Sequence, residues 1–174
     1  MPATPRTARA CALALAGLGV IASTMTAAPA TAASGGDSQT RTQTRTVAQR
    51  VSSRVLSAKD VALRQRGDAY GYGAAGPDRF DCSGLVFYSF RRAGFPVPRT
   101  SGAQAGFTRR IAKKDMRAGD LMFFHGSGGV YHAAIFLKWS HGHAVMVHSP
   151  GSGQRVRVAV PWTSRWFGGT LRRR

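Results

Sequence analysis

The 174-residue chain contains no glutamate. All seven acidic residues are aspartates, against 25 lysines and arginines, and the formal net charge is +18. Catalytic schemes built on paired glutamates, and zinc sites of the His-Glu-x-x-His type, are therefore excluded. Cysteine is nearly absent too, with only Cys11 and Cys82. No apolar run reaches the about 18 to 20 residues that a membrane-spanning helix needs. No fixed period recurs, which removes collagen, coiled coil and solenoid. With 43% hydrophobic and 18% charged residues, the composition is that of a globular protein, and the length suits one domain with a real core.

The first 32 residues have the three parts of a secretory signal peptide. Arg6 and Arg9 give a positive start, Cys11 to Ala22 is apolar, and Ala28-Pro29-Ala30 or Ala30-Thr31-Ala32 offers a small-x-small cleavage site. The expected plan is a signal peptide over 1–32, a flexible polar leader over 33–46 and one folded domain over 47–174. Loss of 1–32 removes two arginines, so the net charge falls from +18 to +16. It also removes Cys11, leaving Cys82 without a disulfide partner in its own chain. Composition alone favours a buried apolar role for such a cysteine, with an intermolecular disulfide and a reactive thiol as the other readings.

Apolar residues from Val47 to Leu63 recur at helical spacing, which predicts helix over 47–66, in one or two pieces, ending at Gly67. Tyr70 to Asp78 is a glycine-rich loop. Asp81 is a good N-cap for a second helix carrying Leu85, Val86, Ser89 and Phe90, with Arg91 and Arg92 in its last turn and Gly94 as its stop. Ser101 and Gln104 fit a capping box for a third, short helix. After Gly119 the pattern turns to strands: Asp120–Phe124, His132–Trp139, Ala144–Ser149 and Val156–Val160. Helices first and strands later predict an α+β fold with an antiparallel sheet packed against the N-terminal helices.

That layout puts Cys82 in the first turn of a helix, where unpaired N–H groups and the helix dipole favour a thiolate. The placement raises the nucleophile reading above the structural one and predicts a thiol that ionises below the free value of about 8.5. A thiol nucleophile needs a base held by a third group. Of the five histidines, His132 and His148 fall on strands joined by the Trp139–His143 turn. His141 and His143 read as turn residues and His125 as a loop residue; no third ligand completes a metal site around them. Opposed residues on an antiparallel pair have residue numbers of constant sum. The sum for His132 and His148 is even, so sharing a face demands an odd-length loop or a bulge. A two-residue His141-Gly142 turn without a bulge would part them. Tyr70 reads equally well as a core tyrosine.

Six segments in order then resemble the NlpC/P60 cysteine peptidases: Tyr70-Gly71-Tyr72-Gly73-Ala74, Phe80-Asp81-Cys82-Ser83-Gly84-Leu85-Val86, Pro98-Arg99-Thr100-Ser101 with Gln104, Ala118 to Phe124, His132 to Phe136, and Val147-His148-Ser149-Pro150. The resemblance runs over about residues 50–168. It implies a papain-like core and a catalytic domain over 47–174. It further implies Cys82 as nucleophile, His132 as general base and His148 as the residue orienting it. The Cys82 backbone N–H and the Tyr70 hydroxyl are implied oxyanion donors, and Asp81 and Ser83 implied substrate contacts, although the cap role by itself explains Asp81. The implied reaction is hydrolysis of peptidoglycan stem peptides, between D-γ-glutamate and diaminopimelate or lysine, with no metal or organic cofactor. Two positions depart from the family pattern: Ala74 where a second glycine is usual, and Ala133-Ala134 after the base where Val-Gly is usual.

The remaining expectations concern place and partners. The chain is read as a secreted or wall-associated monomer without a membrane span. Nucleic acid is not expected, because no recognition motif accompanies the charge. Arg109-Arg110, Lys113-Lys114 and Arg172-Arg173-Arg174 are candidate contacts to anionic cell-wall polymers. The rival readings are an amidase, transacylase or wall-targeting toxin on the same fold, and a non-catalytic cationic wall-binding protein.

Overall fold

The computed structural model describes residues 36–172. The signal segment read over 1–32 lies outside the described residues.

Helix α1 runs without interruption over Gly36–Arg64. The part of the expected leader from 36 to 46 is therefore helical, not flexible coil, and 47–64 forms one piece. No glycine or proline falls between 37 and 64, so nothing stops the helix once its packed end has formed. That packed end buries Val55, Ala58 and Ala62. Gly67 follows at φ 97°, a left-handed turn that glycine adopts at no steric cost.

A two-residue parallel pair, β1 (Ala69–Tyr70) with β2 (Arg79–Phe80), closes the glycine-rich loop. Helix α2 follows at Cys82–Arg92, capped by Asp81, whose side chain accepts from Gly84 N–H. Helix α3 covers Ser101–Phe107, but its cap is Thr100, one residue before the expected Ser101. The capping box fails because Gln104 turns inward instead of back along its helix. Its Nε2 donates to the carbonyls of Ser83 and Pro98, both at 2.9 Å.

The sheet has six antiparallel strands: β3 (Arg109–Ile111), β4 (Leu121–Gly126), β5 (Gly129–Ser140), β6 (His143–His148), β7 (Arg157–Ala159) and β8 (Trp166–Thr170). Their order is β3-β8-β4-β5-β6-β7. The α+β architecture agrees with the sequence reading; β3 and β8 are additional. Strand β8 hides behind Gly168-Gly169, which breaks the apolar alternation. A Cβ at Gly169 would collide with Thr108 Oγ1 and the Phe123 ring, so close packing, not flexibility, selects glycine there.

One sheet face carries Leu121, Phe123, Ala133, Ile135 and Val147 against α1 and the Leu85, Val86 and Phe90 stripe of α2. The other carries Met122, Phe124, Ala134, Phe136 and Met146 with Trp166 and Met116. At about 1.5–3 kcal/mol for each large side chain fully buried, these two clusters fix the strands that bear the histidines. Arg172 also points inward. It is buried and ion-paired to Asp120, which accepts from Thr170 Oγ1 at 2.6 Å. The expected C-terminal basic patch therefore loses its first member to the core.

Candidate active site

The backbone from Phe80 to Ser83 is braced on several sides. Ser149 Oγ donates to the Phe80 carbonyl at 2.7 Å, and Gln104 holds that of Ser83. Asp81 N–H donates to the Ala74 carbonyl at 2.9 Å, and Asp81 Oδ2 accepts from Gly73 N–H at 3.0 Å. Gly84 lies so close to this loop that a Cβ would collide with the Ala74 carbonyl. Arg99 completes the frame: Nη1 donates to Asp81 Oδ1 and Ser83 Oγ, both at 3.0 Å, and Nη2 to Asp81 Oδ2 at 2.6 Å. Asp81 and Ser83 thus sit in one ion-paired network. Cys82, half-buried at the start of α2, opens into a cleft of about 450 Å³ lined also by Tyr70, Tyr72, Asp81, Arg99 and Tyr131.

The histidines arrive from the sheet. The β5–β6 turn has two residues, His141 and Gly142, at φ 48° and 78°. Ser140 pairs with His143, Trp139 with Ala144 and Lys138 with Val145, an odd-sum register. A bulge then intervenes, and Phe136 pairs with Met146 and Ile135 with Val147, an even-sum register. The extra residue, Leu137, is what puts His132 and His148 on the same face. His132 Nε2 lies 3.0 Å from His148 Nδ1, with the ring planes at 81°. Both rings are buried, at 5% and 2% exposure. With the hydrogen on His132 Nε2, His148 Nδ1 accepts, and His132 Nδ1 is left as a proton acceptor.

Cys82 meets this pair through the backbone. The N–H of Ala133, the residue after His132, bonds to the thiol. No thiol–imidazole hydrogen bond forms in this state. The thiol is also not acidified. Burial pushes it above the ordinary thiol value and the Asp81 carboxylate adds to this, outweighing the N–H groups of Ala133 and Ser83. The first-turn position is present, but desolvation wins over it. His132 is held down to about 3 by burial and then by His148, with Asp81 opposing. His148 is held down to about 4 by burial and then by Arg157. Burial also raises the Tyr70 phenol, with Cys82, Asp81 and Tyr72 adding, so its hydroxyl keeps its proton. Burial alone would raise Asp81; the hydrogen bonds from Arg99 and Gly84, the Arg99 charge and the Ser83 hydroxyl bring it below the usual carboxylate range. Among the described residues, no group of three or more His, Cys or Asp side chains gathers to hold a metal.

The model of the NlpC/P60 family matches residues 67–173, a stretch that contains this whole constellation. The chain belongs to the NlpC/P60 family. The probable endopeptidase p60 of Listeria monocytogenes is 40% identical over 92 residues, which are 53% of this chain and 18% of that protein. The bifunctional muramidase/DL-endopeptidase CwlT of Bacillus subtilis is 41% identical over 96 residues, 53% of this chain and 28% of that protein. The match thus spans less than a third of either relative. The structure of the peptidoglycan hydrolase RipB from Mycobacterium tuberculosis aligns with a TM-score of 0.62 at 27% identity, covering 71% of this chain and 67% of that one.

Within this NlpC/P60 domain, sequence reasoning left three site features without a role. Arg99 stood inside a quoted segment, yet only folding shows that it binds both Asp81 oxygens. Tyr131, 53% exposed at the cleft rim, directly precedes His132 in sequence, and that adjacency was a usable signal. Trp162 carries no signal in its neighbourhood, because it reaches the histidines from the loop before β8. His125, His141 and His143 stay outside the pair.

Proposed function

We propose that this NlpC/P60 domain is a secreted cysteine endopeptidase that hydrolyses peptidoglycan stem peptides at the bond between D-γ-glutamate and diaminopimelate or lysine. The observation that carries the reading is the buried His132–His148 pair placed beside a half-buried thiol that opens into a cleft. The bond assignment leans on the DL-endopeptidase named among the relatives, and secretion on the segment 1–32.

The chemistry starts from a neutral thiol and a neutral imidazole. As substrate enters, the thiol leaves the Ala133 N–H for His132 Nδ1, a contact that tightens on binding in such sites. His132 takes the proton while sulfur attacks the carbonyl carbon. The charge growing on the carbonyl oxygen meets the Cys82 N–H and the Tyr70 hydroxyl. His132 then gives the proton to the leaving amine, the C–N bond breaks and a thioester remains. Water, deprotonated by His132, hydrolyses the thioester and restores the thiol. Asp81 and Ser83, with Arg99, shape the cleft wall against which the stem peptide lies. Arg109 and Arg110 are exposed and supply charge for anionic wall polymers; this retention weakens as salt screens it.

The test is digestion of purified peptidoglycan followed by mass analysis of the fragments. New termini at D-γ-glutamate, absent with Cys82→Ala, support the reading; release of sugar–peptide bonds instead points to an amidase. N-terminal sequencing of the exported protein should begin near Thr31 or Ala33.

A further inference from the structure

The loop before β8 places one side chain whose ring partners, among the described residues, are the two site histidines and a phenylalanine that touches one of them. The Trp162 indole stacks on Phe124 with ring centroids 4.5 Å apart and planes at 7°. It meets the His132 ring at 5.1 Å and 73°, and lies over His148 at 5.7 Å and 25°. Phe124 in turn meets His132 edge-on at 5.4 Å and 72°. Trp162 is 56% exposed, so it lies at the surface above a histidine pair that is itself buried. We propose that Trp162 is a positioning residue: its indole roofs the His132–His148 pair, holds the two rings in their mutual orientation and keeps water from the bond between them. The inference rests on the assignment of His132 as the base.

Water exclusion matters here because of a nitrogen on the far side of the pair. His148 Nε2 is buried and has no hydrogen-bond partner. The two-ring chain has two tautomers. One leaves His132 Nδ1 as an acceptor for the thiol proton. In the other, His148 Nδ1 donates to His132 Nε2 and the hydrogen moves onto His132 Nδ1, where it blocks the reaction. Water admitted to Nε2 exchanges the two forms and competes for the bond between the rings. It also relieves the burial that keeps the imidazoles neutral. The other charged groups acting on the pair are Asp81, which precedes α2, on His132 and Arg157 of β7 on His148. Neither is among the ring partners of Trp162.

Two measurements test the roof. In the inactive Cys82→Ala protein, NMR follows the titration of the His132 and His148 rings with and without Trp162→Ala. The midpoints should rise by about one pH unit or more in the variant, as burial is relieved. In the protein with Cys82 intact, Trp162→Ala should lower kcat on purified peptidoglycan fragments about tenfold, leave KM within about twofold and move the acid limb of the rate profile upward. Trp162→Phe, which keeps a flat ring, should restore most of both. Unchanged ring titrations would overturn the proposal. So would a KM rise without loss of kcat, which makes Trp162 a substrate contact instead. Rings that shift in a protein without wall activity remove the peptidase reading and keep the roof.

Discussion

The two halves of the site are built from opposite materials. The Cys82 half is polar: Asp81, Ser83, Arg99 and Gln104 fix the backbone around Cys82 through directional hydrogen bonds. The histidine half is aromatic: Phe124 and Trp162 hold His132 and His148, which make one hydrogen bond with each other. Hydrogen bonds fix where an atom sits. Rings fix the plane of a group and also dry it. In the proposed mechanism the nucleophile must be placed, whereas the base must be oriented and kept neutral, and each half would supply what its member needs.

Removing either reacting group should stop the reaction regardless of which half it belongs to. Cys82→Ala and His132→Ala should each lower peptidoglycan turnover by at least about a thousandfold with an unchanged circular dichroism spectrum. Residual fragment release by Cys82→Ala would sink the mechanism. His148→Ala should cost less, about tenfold to a hundredfold in rate, because orienting a base contributes less than being one. A sharper contrast comes from Arg99→Ala, which damages only the polar half. It leaves the Asp81 carboxylate unpaired in a largely buried place and should cost about 2 kcal/mol in denaturant unfolding; Arg99 is itself a third exposed, which holds the figure below that of a fully buried pair. Its effect on the titration of the histidines should be small.

Acid should distinguish the halves by where their contributions to stability disappear. His132 and His148 are held from 6.5 down to about 3 and about 4. Unfolding returns them to the ordinary value, so between these limits the unfolded chain binds more protons. Stability therefore falls as pH drops from about 6.5 toward 4, and the double His132→Gln, His148→Gln variant should flatten that slope. Asp81 acts lower. Its folded carboxyl lies below 3.8, so its contribution is complete above that pH and is lost only as pH falls through the folded value. Thermal melts across about pH 2 to 7 read the histidine window and the onset of the Asp81 one.

Only one stretch of the polar half was legible. Asp81, Cys82 and Ser83 are contiguous, and a cap followed by an apolar stripe is a local signal that folding preserved. The fold class came from element order, and the His pair from its place on two strands joined by a turn; parity set the condition, and the bulge is one of the two solutions it left open. What was illegible is non-local or energetic. Gln104 satisfies a capping pattern by spacing, but tertiary packing turns it to Ser83. The acidity of Cys82 cannot be read from its helix position, since burial is set by strands about 50 residues away. Strands β3 and β8 lack a periodic signature, one being short and exposed, the other carrying paired glycines.

The single-residue bulge at Leu137 behaves as a frame-keeper. A β-strand has a frame of two, and everything beyond an insertion changes sides. The compact His141-Gly142 turn sets the β5–β6 hairpin in one frame and Leu137 shifts it into the other before the histidines are reached. Turn length and bulge thus act as one unit. Delete Leu137, or lengthen the turn by one residue, and the histidines separate to opposite faces with every side chain of the pair intact. Make both changes together and the frame returns. Loss of the site by a change that touches none of its residues, and recovery by a second such change, follows from counting alone.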